Sequence, residues 1–231
     1  MYMSRISLKP DANKNPAFWR SLEDIYKMHR VLWSLFADVD DRKRDFLYRC
    51  EEKRGGVVFF VVSEREPHDT QGLWQIDSKT YQFQLNAGQR LAFVLRANPI
   101  RSKKDAEQRQ HRHDVIMEAK TRLKQAGQLE GDRPPENEIV QEEGYRWLAT
   151  RALQYGFSVS EGEVRVDGYR QHRLFKPKGS HQVRFSTVEI TGALTVTDPE
   201  RFREALNKGV GVRYALLNSG ITSAPPFSES R

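Results

Sequence analysis

The 231-residue chain contains a single cysteine, Cys50. One thiol excludes an intrachain disulfide framework and a multi-cysteine zinc site, and it predicts a reducing, cytoplasmic setting. Long apolar runs are also missing. No stretch approaches the roughly 20 residues that span a bilayer, so no membrane-embedded partner is expected. The opening MYMSRISLKP alternates like a strand and lacks the apolar centre of a secretory signal. No HExxH motif occurs. Acid is the scarcer charge, with 31 Asp and Glu against 38 Lys and Arg, a net charge of +7. Such an excess favours a polyanionic partner, nucleic acid or an acidic membrane surface, and the position of the cations decides between them.

Enough apolar material is present for a core, at 38% hydrophobic residues against 30% charged. The length suits one large domain or two of roughly 100 residues. Tyr2, Ser4, Ile6 and Leu8 alternate as a strand. Ile25, Met28, Leu32, Leu35 and Phe36 fall at helical spacing, predicting a helix over about 22–36. FLYRCEE and GGVVFFVVSE read as two strands around Gly55-Gly56, followed by strands at TYQFQL and RLAFVLRANPI. Residues 101–124 are strongly basic, and LEGDRPPENEIVQEE reads as a surface loop. EEGYRWLATRALQYG reads as a helix ended by Gly156, and residues 157–197 as strands with turns at Glu161-Gly162 and Lys178-Gly179. DPERFREALNKG is a helix with Asp198 as cap, Pro199 at its first position and Gly209 at its end. A last strand, VGVRYALLNSG, precedes a frayed tail. The order predicts an α+β fold of two tandem ferredoxin-like (RRM-like) βαββαβ domains, 1–90 and 91–231. A sheet with helices on one face leaves its other face free, the surface RNA-recognition modules use.

Three features bear on chemistry. First, residues 165–184 hold Arg165, Arg170, Arg173, Lys176, Lys178 and Arg184 against one acid, Asp167. A hairpin so charged repels itself unless a polyanion neutralises it, and arginine can bond phosphate or base edges bidentately. The competing reading is a solvated hairpin. The basic stretch that begins at Arg96 and includes Arg101, Lys103 and Lys104 favours binding. Second, Tyr26, His29 and Arg30 lie off the apolar stripe of the first helix and are neighbours there. An isolated histidine is usually structural. This one, beside a tyrosine and a cation, supplies what 2′-OH attack in RNA requires without a metal: a proton-transfer group and charge stabilisation at the phosphate. His111 and His113 sit in a polar run that reads as a mobile loop, RNA-facing or inert, with zinc the less favoured reading. Third, Gly209 and Gly211 in NKGVGVRYALL let backbone approach a phosphate, although a helix C-cap explains Gly209 equally.

Along nearly the whole chain, MYMSRISL, DIYKMHRVLWSLF, RDFLYRCEE, LRANPIR, GYRWLATRAL, VEITGALTVTDPERF and GVG occur in an order that resembles the CasE family of CRISPR RNA-processing endoribonucleases. The resemblance implies two tandem ferredoxin-like domains and binding of the stem-loop in CRISPR repeat transcripts. It further implies cleavage at the 3′ base of the stem by metal-independent 2′-OH attack, leaving a 2′,3′-cyclic phosphate, with the product retained in a Cascade complex beside other subunits. No cofactor is implied. The family's catalytic tyrosine and histidine fall on Tyr26 and His29, acid and base roles unassigned, and its groove-entering hairpin on about Arg170 to Arg184. The chain departs from the family's glycine-rich loop of type GxGxxKxxGxGLL. It reaches Leu216 and Leu217 in fewer residues, without the second glycine cluster and its lysine, which leaves Gly209, Gly211 and Arg213 as the phosphate candidates there. Two alternatives stand beside this reading. One is a non-catalytic CRISPR RNA-binding subunit, which would bind the hairpin without cutting it. The other is a basic scaffold for protein partners, whose binding would ignore salt.

Overall fold

The computed structural model describes residues 1–11, 25–36, 46–53, 56–80, 82, 84–127, 130–175 and 182–210. It divides the chain between Gln84 and Leu85 into two compact units, a few residues before the boundary at 90 drawn from the sequence.

The first unit begins with β1 (Tyr2–Leu8) and α1 (Ile25–Trp33), extended by a 3₁₀ turn, Ser34–Phe36. β2 (Phe46–Lys53), β3 (Gly56–Ser63) and β4 (Trp74–Thr80) follow. The sheet order is β2-β3-β1-β4, antiparallel throughout, the strand order of a ferredoxin-like unit. β4 lies before the predicted TYQFQL strand. In Trp74–Thr80 the alternation puts Trp74 into the core, 4% exposed, whereas Gln82, Gln84 and Leu85 of the predicted segment belong to no strand. Ser4 and Ile6 point inward together, and Ser4 Oγ meets Ser78 Oγ at 2.9 Å across the sheet.

The α1 stripe does what its spacing demands. Leu32, Leu35 and Phe36 are buried. Phe36 stacks on Phe46 at 4.7 Å, and aromatic contacts continue through Tyr48 and Phe59 to Trp74. Rings of this size dominate the burial in a small unit.

The second unit comprises β5 (Arg90–Ala97), β6 (Ile100–Lys104), β7 (Gln110–Asp114), α2 (Val115–Gln125), α3 (Glu136–Ala152), β8 (Phe157–Ser158), β9 (Val164–Phe175), β10 (Gln182–Val196) and α4 (Pro199–Lys208). β10 pairs with β5 on one side and with β9 and β8 on the other. Taking β5, α3, β9, β10 and α4 in order gives βαββα with β10 central, again the ferredoxin-like arrangement. The last strand predicted from the sequence lies outside the described residues.

Three sequence expectations are corrected here. RLAFVLRANPI is two strands, broken at Asn98-Pro99. Proline has no N–H for a ladder, and its carbonyl instead accepts from Val115 N at 3.0 Å, so β6 leaves the sheet to form a separate hairpin with β7. The run holding His111 and His113 is therefore strand, not a mobile loop. The acidic segment before Gly144 is the first half of α3: Ile139 and Val140 join Trp147 and Leu148 in the core, and the glutamates of its first turn favour the helix N-terminus. Gly144 lets α3 approach β9 closely, since a Cβ there would stand 2.5 Å from Val166 Cγ1. Gln141 locks that approach, donating to Val164 O at 2.9 Å and accepting from Val166 N at 2.7 Å. Asp198 caps α4 as its sequence indicates, accepting from Glu200 N and Arg201 N.

Candidate nucleic-acid interface

Tyr26, His29 and Arg30 all fall on α1. Arg30 is exposed; the side chains of Tyr26 and His29 lie outside the described residues. What holds the helix is well defined. Arg65 donates from Nη1 to Phe36 O at 2.8 Å, its guanidinium lying over the Phe36 ring, and His68 N donates to Leu35 O at 2.8 Å. Two carbonyls at the end of the helical segment are thereby satisfied by the loop before β4. The sequence does not mark Arg65 or His68 for this task, because the contact spans 29 residues.

The predicted cations divide by whether an acid holds them. Arg96 on β5 is bonded to Glu189, directly opposite on β10. Arg101 and Lys103 on β6 converge on Glu118 of α2, Arg101 Nη2 at 2.8 Å from Oε2. Their hydrogen bonds, that of Arg101 first, hold the Glu118 carboxyl down to about 2 from 4.5. The folded chain therefore binds fewer protons at this site than the unfolded one between about pH 2 and 4.5. Its stabilisation is complete above 4.5 and is lost as pH falls through about 2. Glu118→Gln is expected to lower the melting temperature by a few degrees at neutral pH, on the order of 0.5–1 kcal/mol for such partly exposed pairs. The gap from wild type should close as pH is lowered from 4.5 toward 2 in thermal melts; a gap independent of pH would exclude the carboxylate as its cause.

Lys104, Arg170 and Arg173 are exposed and have no acidic partner among the described residues. Arg184 is exposed as well and faces Arg173 directly across the β9–β10 ribbon. Like charges opposite one another on a ladder repel. Lys176, Lys178, Gly211 and Arg213 lie outside the described residues. Gly209 ends α4 at φ 91, its N–H bonded to Ala205 O.

A bulge sets which cations share a face. Gly168 and Tyr169 together oppose Val188, between the pairs Asp167↔Glu189 and Arg170↔Thr187. Before it, Val164 and Val166 face the helices and are buried. After it the odd residues do: Tyr169 Oη donates to Asp114 Oδ2 at 2.8 Å, and Gln171 Nε2 lies 2.9 Å from Met117 Sδ. Burial first, then the Asp114 charge, pushes the Tyr169 phenol far above its usual range. Arg170 and His172 consequently stand on the opposite face. The β6–β7 hairpin is anchored at its base, where Trp147 Nε1 and Arg151 Nη2 both donate to Ile100 O at 3.0 and 2.7 Å. Across it, His111 Nε2 lies 2.8 Å from Asp105 Oδ2.

Two ferredoxin-like units with a cationic ribbon on the second have the build of an RNA-handling protein. A family model described as CRISPR associated protein matches residues 1–216, and the chain belongs to that family. It is 28% identical over 206 residues to the CRISPR system Cascade subunit CasE of Escherichia coli, covering 88% of this chain and 93% of that protein. It is 28% identical over 241 residues to the CRISPR-associated endoribonuclease Cse3 of Thermus thermophilus, covering 98% and 100%. Among solved structures, Cse3 bound to a 19-nucleotide RNA superposes with a TM-score of 0.68 at 27% identity, over 97% of this chain and all of that one. The E. coli protein Cas6e shares the fold, with a TM-score of 0.61 at 21% identity over 97% of this chain and 100% of that one.

Proposed function

We propose that this chain is an endoribonuclease of CRISPR RNA maturation that binds the stem-loop of repeat transcripts and cuts at the 3′ base of the stem. The observation that carries the reading is the β9–β10 ribbon, where Arg173 and Arg184 are directly opposed and Arg170 and Arg173 lack acidic partners among the described residues. Phosphates relieve that repulsion and convert it into affinity. The names of the relatives, a Cascade subunit and an endoribonuclease, and a Cse3 structure holding RNA support the same reading.

In the proposed reaction the substrate's own 2′-OH attacks the adjacent phosphorus, the 5′-oxygen leaves, and a 2′,3′-cyclic phosphate forms. Tyr26 and His29 on α1 supply the proton transfers, and the first unit carries catalysis while the second, with the ribbon and Lys104, carries recognition. The product stays bound, and the chain works in the cytoplasm as a subunit of a Cascade complex.

The deciding experiment incubates purified protein with a CRISPR repeat hairpin RNA in excess EDTA and characterises the product ends. Cleavage at the stem base leaving a cyclic phosphate is expected. Loss of cleavage on chelation, restored by a divalent metal, would overturn the metal-free mechanism. The shortened glycine-rich segment after Gly209 favours a second reading, a non-catalytic CRISPR RNA-binding subunit. Tight binding of the hairpin with no cleavage under any condition would establish it.

A further inference from the structure

The face of the β9–β10 ribbon turned away from α2 and α3 carries an aromatic pair that the charge pattern does not account for. His172 and Phe185 are register partners. Their rings stack with centroids 4.8 Å apart and planes 20° from parallel, and both are partly exposed. His172 Nε2 lies 2.9 Å from Thr187 Oγ1, which fixes the imidazole plane. Arg170, opposite Thr187, is on the same face, exposed and without an acidic partner among the described residues. Arg96 and Glu189 continue that face toward β5.

We propose that the His172–Phe185 pair is a stacking site for one unpaired RNA base, with Arg170 holding the phosphate beside it. The proposal rests on the RNA-processing reading above and adds a place for single-stranded RNA flanking the stem, which the Arg173–Arg184 face of the ribbon does not provide. Bases within a helix are already stacked on one another, so flat rings on a sheet select unpaired nucleotides. Burial, and then the charges of Arg96 and Arg170, push the imidazole below its ordinary value. The ring is therefore uncharged at neutral pH and suited to stacking. The Arg170 charge beside the rings suits a phosphodiester, and flat rings next to a cation are what a nucleotide needs. The sequence shows the two rings thirteen positions apart; only the hairpin register and the bulge place them together with Arg170.

The test uses a repeat hairpin RNA with unpaired flanks, the same hairpin trimmed to a blunt stem, and 2-aminopurine substituted in turn at each flanking position. Two variants remove a ring while keeping volume or hydrogen bonding, Phe185→Leu and His172→Gln; Phe185→Trp keeps a ring. With wild type, fluorescence at one flanking position should be quenched on binding. With Phe185→Leu or His172→Gln that quenching should vanish, and affinity for the flanked RNA should fall roughly 5- to 100-fold, the range of one lost base stack. Affinity for the blunt stem should not change, and Phe185→Trp should restore both signals. Equal losses on flanked and blunt RNA, or no loss on either, would overturn the proposal. Wild-type protein that binds neither hairpin removes the RNA-processing reading instead. An unstructured 2-aminopurine oligonucleotide then decides the stacking site alone: quenching that depends on the rings upholds it, and quenching that ignores them refutes it.

Discussion

His29→Ala is expected to reduce single-turnover cleavage of a repeat hairpin by about 100- to 10,000-fold, the usual worth of a positioned general acid or base. Binding of the same RNA should stay within about twofold of wild type, because affinity is assigned to the cationic ribbon of the other unit. Leu32, Leu35 and Phe36 carry the packing of α1, and the substitution keeps all three while removing the imidazole. Tyr26→Phe belongs in the same series: it deletes one proton and one acceptor at nearly constant volume. The pH–rate profile separates the two groups. The limb of the profile that reports the histidine should disappear in the His29→Ala protein. Loss of affinity in parallel with cleavage, or unchanged cleavage, would take His29 out of the reaction.

The Arg173→Ala, Arg184→Ala double variant should lose RNA affinity by on the order of tenfold per arginine, the worth of a charge-assisted bond to phosphate. The plot of log affinity against log salt should become shallower by about one unit for each phosphate contact removed. Cleavage at saturating RNA should persist, since neither side chain is assigned to the chemistry. The folded protein should be slightly more stable in the absence of RNA, because two like charges facing each other across a ladder are relieved. That opposite sign for stability and binding is the signature to look for. A variant that binds RNA with unchanged affinity and unchanged salt slope would remove the ribbon from recognition; one that melts earlier would show that the pair serves folding.

Much of the scaffold was legible before any coordinates. The helical stripe of α1, the β2–β3 hairpin and the capped α4 follow from local rules: apolar periodicity, paired glycines, and an Asp-Pro start with a glycine end. The errors came where a local pattern met a longer-range constraint. RLAFVL has strong strand propensity and so does not show where the strand stops, but Pro99 cannot donate to the ladder, and its carbonyl is spent on the start of α2. The acidic stretch before Gly144 is polar enough to pass for a loop, yet Ile139 and Val140 are drawn into the core by Trp147 and Leu148 a few turns on. His111 and His113 lie in a run too polar to announce a strand, and pairing with β6 makes them one.

Composition and motif order by themselves determined that this chain is basic, poor in cysteine, built from two ferredoxin-like units and a relative of CRISPR RNA-processing proteins. These are sums and short-range patterns, and sums and short-range patterns survive in one dimension. The tertiary structure decided which cations remain available. Glu118 takes Arg101 and Lys103, and Glu189 takes Arg96, across separations of 15 to 93 residues. It also decided which face each ribbon residue occupies. Strict alternation along β9 would put Arg170 and His172 on the side of Val164 and Val166, against the helices. The bulge at Gly168–Tyr169 inserts one extra residue, and since side chains alternate with a period of two, a single insertion exchanges the faces for the rest of the strand.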